Sequence, residues 1–348
     1  MSKIPWGKYP TLAEHGHGRR WLEFLSNIGR APNTVDAYGR AVNDHLRFCA
    51  SANVDPLDAR ADTVAAWIGE MRRRPNSRSP KVVHLTSGAG LANATIQQRL
   101  VAVHSFYEFL VEDELRVRNP VRRGQSGRRT GRPRRGLVAR VEQAPWIPNE
   151  EAWQRILVAA GTEPLRNRLM VGLAYDGALR REELVQLDVE DFDPAYSLIR
   201  LRALTTKSKR SREVVYGVAT AKLFAAYLGE RRSRFGRITG ALLRSESNRN
   251  SGHPLGLSSW SKIVERLGTK AQTPQLSTHT FRHLRLTDLA RADWTIDQIA
   301  RYAGHRDLAT TMRYIHLSGR ELAARFQRAN TAIQTERERL LAALMESR

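Results

Sequence analysis

The chain has 348 residues, 41% of them apolar, which suffices for two hydrophobic cores at ordinary domain size and is too many for a disordered chain. Lysine and arginine total 57 against 35 aspartates and glutamates, and the resulting +22 points to a polyanionic partner, nucleic acid ahead of an anionic membrane. No apolar run approaches the roughly 20 residues of a spanning helix, MSKIPWGKYP has no signal-peptide core, and a single cysteine, Cys49, excludes an intramolecular disulfide, so a cytoplasmic protein is expected.

Residues 1–17 lack apolar periodicity and read as a loose N-terminal arm. Four helical patterns follow within residues 18–120. The first carries Trp21, Leu22, Phe24 and Leu25 and stops near Gly29; the second, capped by Asn33 or Thr34, carries Tyr38, Val42, Leu46 and Phe48. The third follows Asp62 and Thr63 with Val64, Trp67, Ile68 and Met71 inward, and residues 72–90 then read as an exposed loop. The fourth, over 94–113, sets Ile96, Leu100, Val103, Phe106, Phe109 and Leu110 on one face. These four predict a small helical bundle ending at Asn119-Pro120.

Residues 121–145 form a basic interdomain linker, since 121–140 hold eight arginines and no acid and cannot build a core. A second domain is expected over 146–330. Asn149 can start a helix through Trp153, Ile156, Leu157 and Ala160, another helix spans 165–176, and 189–192, 198–204 and 213–218 read as three short strands. Ile199 and Leu201 alternate with Arg200 and Arg202, as a half-buried strand requires. Helices resume over 220–232 and 260–267 around a loop at 245–256. Further helical patterns carry Ile296, Ile299, Ala300 and Ala303 up to Gly304, and then Leu308, Met312 and Ile315. Thr331 and Gln334 have the spacing of a capping box opening a terminal helix with Leu340, Leu341 and Leu344, so 331–348 form a separate C-terminal segment.

Within LSTHTFRHLRLTDLARADWTIDQIARYAGHRDLATTMRYIH, His279 and Arg282 are three apart on one helical face, Gly304-His305 follows, and Tyr314 comes nine residues after His305. Singly, such residues are more often caps and packing than catalysts. Their joint spacing resembles the C-terminal signature of the tyrosine recombinases, the phage integrase and Xer family. Upstream, LAYDGALRREEL places Arg180 at that family's first arginine box, and Thr206-Lys207-Ser208-Lys209 places Lys207 in register with its hairpin lysine. The flanking glycines of that motif are absent here and Lys209 is two residues away, which leaves Lys207 and Lys209 as alternatives. TIQQRLVAVHSFYEFLVEDELRVRNPV resembles the end of the family's core-binding domain, so the likeness covers most of the chain.

The resemblance implies a mainly α protein with a small antiparallel sheet: an N-terminal helical core-binding domain and an α+β catalytic domain. It implies a catalytic set of Arg180, Lys207, His279, Arg282, His305 and Tyr314. The two arginines would clamp the non-bridging oxygens of a DNA phosphodiester and His305 would add a donor. Tyr314 would attack, His279 would accept its proton and Lys207 would protonate the departing 5′ oxygen. No cofactor or metal is implied, because the ester to tyrosine stores the energy of the broken bond. The implied partners are double-stranded DNA, a homotetramer on two sites and accessory proteins, with no membrane. A type IB topoisomerase shares the chemistry and fold by resemblance, and a non-catalytic DNA-binding protein is the alternative from another class. His279 and His283, four apart, could form a metal pair, but Thr280 stands where a zincin places its glutamate.

Overall fold

The computed structural model describes residues 4–74, 90–121, 137–138, 145–203, 205–206, 210–236 and 238–312, with 327, 331, 333–337 and 339 beyond. The chain divides into two compact units, Met1–Gln143 and Ala144–Arg348.

The first unit is helical. A 3-10 turn at Trp6–Lys8 precedes α1 (Pro10–Glu14), α2 (Gly16–Asn27), α3 (Pro32–Ser51), α4 (Ala61–Arg73) and α5 (Asn93–Glu112). The expected inward residues Trp21, Leu22, Val42, Trp67, Met71, Ile96, Val103, Phe106 and Leu110 are buried together, with Trp21 edge-on to Phe106 at 5.6 Å between ring centres. His45 also lies in this core, its Nε2 2.8 Å from the Tyr107 hydroxyl.

Three details depart from the sequence expectation. The arm is docked: Tyr9 and Leu12 are fully buried, the Tyr9 hydroxyl donates to Asp36 at 2.5 Å, and the Leu12 amide donates to Asn43 at 3.0 Å. Two apolar residues three apart are too few to show a period, so the contact was not visible in the pattern. α3 begins at Pro32 with Ala31 at the cap and no side-chain cap, because the fixed φ of proline suits a first helical turn that needs no N–H. Val121 and Val138, within the basic run, are buried with this core. Most of that run, 122–136 and 139–144, lies outside the described residues, as do 75–89 of the expected loop.

The second unit places α6 (Glu150–Gly161), α7 (Leu165–Asp176) and the short α8 (Arg181–Val185) before the sheet, then α9 (Val218–Phe235), α10 (Leu257–Lys270), α11 (Thr280–Arg291), α12 (Ile296–Ala303) and α13 (Leu308–Met312). Asn149 caps α6 as expected, its Oδ1 accepting from the Ala152 amide at 3.0 Å. The sheet is antiparallel in the order β1 (Phe192–Asp193), β2 (Leu198–Leu201), β3 (Arg212–Val215). Val189–Asp191, expected as strand, is a 3-10 turn, because Asp191 folds back to accept from the Asp188 amide at 2.8 Å. α7 is central, packed against α9 and α11, and its Leu169, Met170 and Leu173 share one core with Ile199, Val214, Trp260, Phe281 and Ile299.

Two helical expectations near the C-terminus are corrected. Leu308 and Met312 do not face the core: they are 54% and 50% exposed, while Thr311 is fully buried. Thr331 does not open a helix with a capping box; it lies within one, its hydroxyl donating to the Gln327 carbonyl four residues back. The apolar stripes expected from Leu322 to Ala329 and from Leu340 to Leu344 lie outside the described residues. No helix among the described residues is long and apolar enough to cross a membrane.

Candidate active site

The site is built around the end of α12. Gly304 terminates that helix in the left-handed region, at φ +64°, and leaves its last carbonyls without helical partners. Three consecutive carbonyls are each taken by a guanidinium from a different element. Arg212 of β3 donates from Nε to Tyr302 O at 2.9 Å. Arg282 of α11 donates from Nη2 to Ala303 O at 2.5 Å, and Arg180, at the N-cap of α8, donates from Nη2 to Gly304 O at 3.2 Å. The negative end of the helix dipole favours these cations further. A side chain at position 304 would be crowded as well as strained, since its Cβ would lie 2.9 Å from Arg212 Nη1.

Each arginine is held at its other end. Arg282 is 3% exposed and donates from Nη1 to Ala178 O at 2.7 Å, a carbonyl presented by a buried alanine that itself adopts φ +46°. Strained backbone of this kind persists where the surroundings over-determine it. Arg180 and Arg212 share one carboxylate. Glu183 accepts from Arg180 Nη1, from the Arg180 amide, and from Arg212 Nη1 and Nη2, all at 2.8 Å. Burial pushes the Glu183 carboxyl up, but the Arg212 hydrogen bonds and charge, aided by Arg180, outweigh it and hold it down at about 2.

His305 follows Gly304, its Nε2 2.9 Å from Arg282 Nη2 and its Nδ1 2.9 Å from Thr311 Oγ1. Guanidinium only donates, so Nε2 accepts and the proton sits on Nδ1, which donates to Thr311. Desolvation, then the charges of Arg282, Arg180 and Arg212, push this histidine down to about 3, so the ring is neutral near pH 7. This arrangement differs from the expected donor role toward phosphate: here His305 steadies Arg282. It also explains the rotation of α13, whose Thr311 must point inward to meet it.

His279 is exposed at the N-cap of α11, without a side-chain cap bond; the turn is closed instead by Thr280 Oγ1 accepting from the Ser277 amide at 3.0 Å. Its ring lies 6.2 Å from that of His283. The structure thus brings Arg180, Arg282 and His305 to one turn. Lys207, its rival Lys209, and Tyr314 lie outside the described residues. Arg210 and Arg301 line a cleft of about 380 Å³ with Arg212, Gly304 and His305.

Sequence reasoning assigned no role to Glu183, Arg212 or Thr311. Arg212 did carry a signal: it shares the inward phase of β3 with buried Val214, and a cation in core register demands a partner. Thr311 carried none, because its contact depends on how α13 is turned.

The sequence model of the phage integrase family matches residues 147–321, about half of the chain and all of the site just described. The chain belongs to the phage integrase family. Residues 19–114 match the N-terminal SAM-like domain of phage integrases. Among similar proteins, the tyrosine recombinase XerD of Caulobacter vibrioides is 27% identical over 324 residues, spanning 88% of this chain and 94% of its own length. The tyrosine recombinase XerC of Pelotomaculum thermopropionicum is 29% identical over 248 residues, spanning 69% and 76%. The solved structure of the Tn1549 transposon integrase in complex with transposon right end DNA has the same fold, with a TM-score of 0.64 at 16% identity, over 89% of this chain and 98% of that one. The family resemblance carried by the arginine and His-x-x-Arg boxes is thereby borne out, as are the two-part mainly helical fold and its small sheet.

Proposed function

We propose that this integrase-family chain is a site-specific recombinase that cuts and rejoins double-stranded DNA through a 3′-phosphotyrosyl intermediate and a Holliday junction. The observation that carries the reading is the meeting of Arg180, Arg282 and His305 at the Gly304 turn. The relatives named as tyrosine recombinases support it, and the net charge of +22 suits a polyanionic substrate.

A phosphodiester resists attack because its non-bridging oxygens repel a nucleophile and its leaving group is a poor alkoxide. Arg180 and Arg282 bring permanent positive charge to those oxygens. Tyr314 attacks phosphorus and passes its phenolic proton to His279. As the new P–O bond forms, the bond to the 5′ oxygen breaks, and Lys207 protonates that oxygen. Reversal by a 5′ hydroxyl of the other duplex rejoins the strand with no external energy source. Exchange between two duplexes requires four tyrosines used in pairs, so a homotetramer on two sites is the assembly that fits.

The test is Tyr314→Phe, which removes only the nucleophilic oxygen and leaves the arginine clamp. The variant binds its site as the parent does and forms no covalent adduct on a denaturing gel. A denaturation-resistant protein–DNA complex in that variant would overturn the assignment.

A further inference from the structure

Glu183 creates an electrostatic difficulty that the recombinase reading alone does not resolve. A buried carboxylate 2.8 Å from Arg180 should cancel the charge that Arg180 needs to offer a phosphate. Arg212 removes the difficulty. It grips both oxygens of the same carboxylate at 2.8 Å, and its Nε donates to Tyr302 O at 2.9 Å, so all three of its nitrogens bond protein atoms. Its side chain is 8% exposed, against 18% for Arg180, so it is the more buried of the two arginines that share Glu183.

We infer that Arg212 is a positioning residue for strand cleavage: it neutralises Glu183 so that Arg180 is held in place with its positive charge still available to the scissile phosphate. The inference rests on the recombinase reading. Three guanidinium charges, those of Arg180, Arg212 and Arg282, stand against the single carboxylate of Glu183 and leave two positive charges, with His305 neutral. Attack of a phenolate oxygen on a phosphodiester builds a second negative charge on the phosphorane, and two positive charges match it. Without Arg212 one remains, and Arg180 is drawn wholly into its pair with Glu183. Arg212 also joins β3, which begins five residues after Lys207 in the sequence, to the Gly304 turn.

The experiment compares cleavage of an ordinary site with cleavage of a site whose scissile phosphate is a methylphosphonate, which lacks one non-bridging negative charge. Arg212→Ala in the full chain lowers the cleavage rate on the ordinary site by about 100-fold or more, the scale of one preorganised donor, while DNA affinity is little changed. On the methylphosphonate the deficit shrinks to less than about 10-fold, because less charge develops there. Arg212→Lys, which keeps the charge and loses the fork, falls between the two and covers the case in which the alanine variant does not fold. Equal deficits on both substrates, or an Arg212→Lys variant as slow as Arg212→Ala, would show that the residue supports packing only and would overturn the inference. Failure of the parent protein to cleave either substrate would instead refute the recombinase reading itself.

Discussion

His305 shows how one side chain's protonation state is set by what surrounds it. Burial and three nearby guanidiniums hold it down to about 3, against an ordinary 6.5. Between those values an unfolded chain takes up a proton that the folded chain refuses. Stability contributed by the neutral ring is therefore complete above about pH 6.5 and falls as pH drops toward 3. Glu183 behaves in the same direction over a lower window: its contribution is complete above 4.5 and is lost as pH falls toward about 2. Urea unfolding at pH 7.5, 6 and 5 should show stability declining, and His305→Asn should flatten that decline. A slope unchanged by the substitution would mean that the ring is protonated in the folded protein.

At the scale of the element, the end of α12 is the unit that matters. A helix that stops in the interior must satisfy its last carbonyls, and here three arginines from β3, α11 and the start of α8 do so at Tyr302, Ala303 and Gly304. Gly304→Ala tests this. The left-handed φ alone costs an L-residue about 1–2 kcal/mol, and the added Cβ, 2.9 Å from Arg212 Nη1, pushes on the same side chain that holds Glu183. The variant should lose about 1–3 kcal/mol of stability by chemical denaturation. Its cleavage rate should fall further than that stability loss explains at a temperature where it is fully folded. Normal cleavage by the folded variant would show that the turn needs no fine positioning.

For the whole molecule, a recombinase reading requires assembly as well as chemistry. Residues after Thr331 lie beyond every proposed catalytic residue, so truncation there removes no group from the site. If this segment docks on a neighbouring copy, the truncated protein binds a single site normally but forms fewer paired complexes by light scattering, and recombination falls with them. A truncated protein that pairs sites and recombines as the full chain does would assign the segment to its own unit. DNA binding should weaken steeply with salt in either case, since each neutralised phosphate releases counterions.

The sequence by itself determined the helices with strong periodicity, such as α5 with Ile96, Leu100, Val103, Phe106 and Leu110 inward, because burying one face of a helix leaves a repeat that survives in the primary structure. Through its resemblance to the tyrosine recombinase boxes it also marked Arg180, Arg282 and His305. Other features have no local signature. The docking of Tyr9 and Leu12 depends on Asp36 and Asn43, some thirty residues away. The inward turn of Thr311 in place of Leu308 and Met312 depends on a histidine that needs a partner. Above all, only the tertiary structure decided that Arg212 and Arg180 share Glu183, because an ion pair between β3 and the start of α8 is a contact across 29 residues that no periodicity encodes.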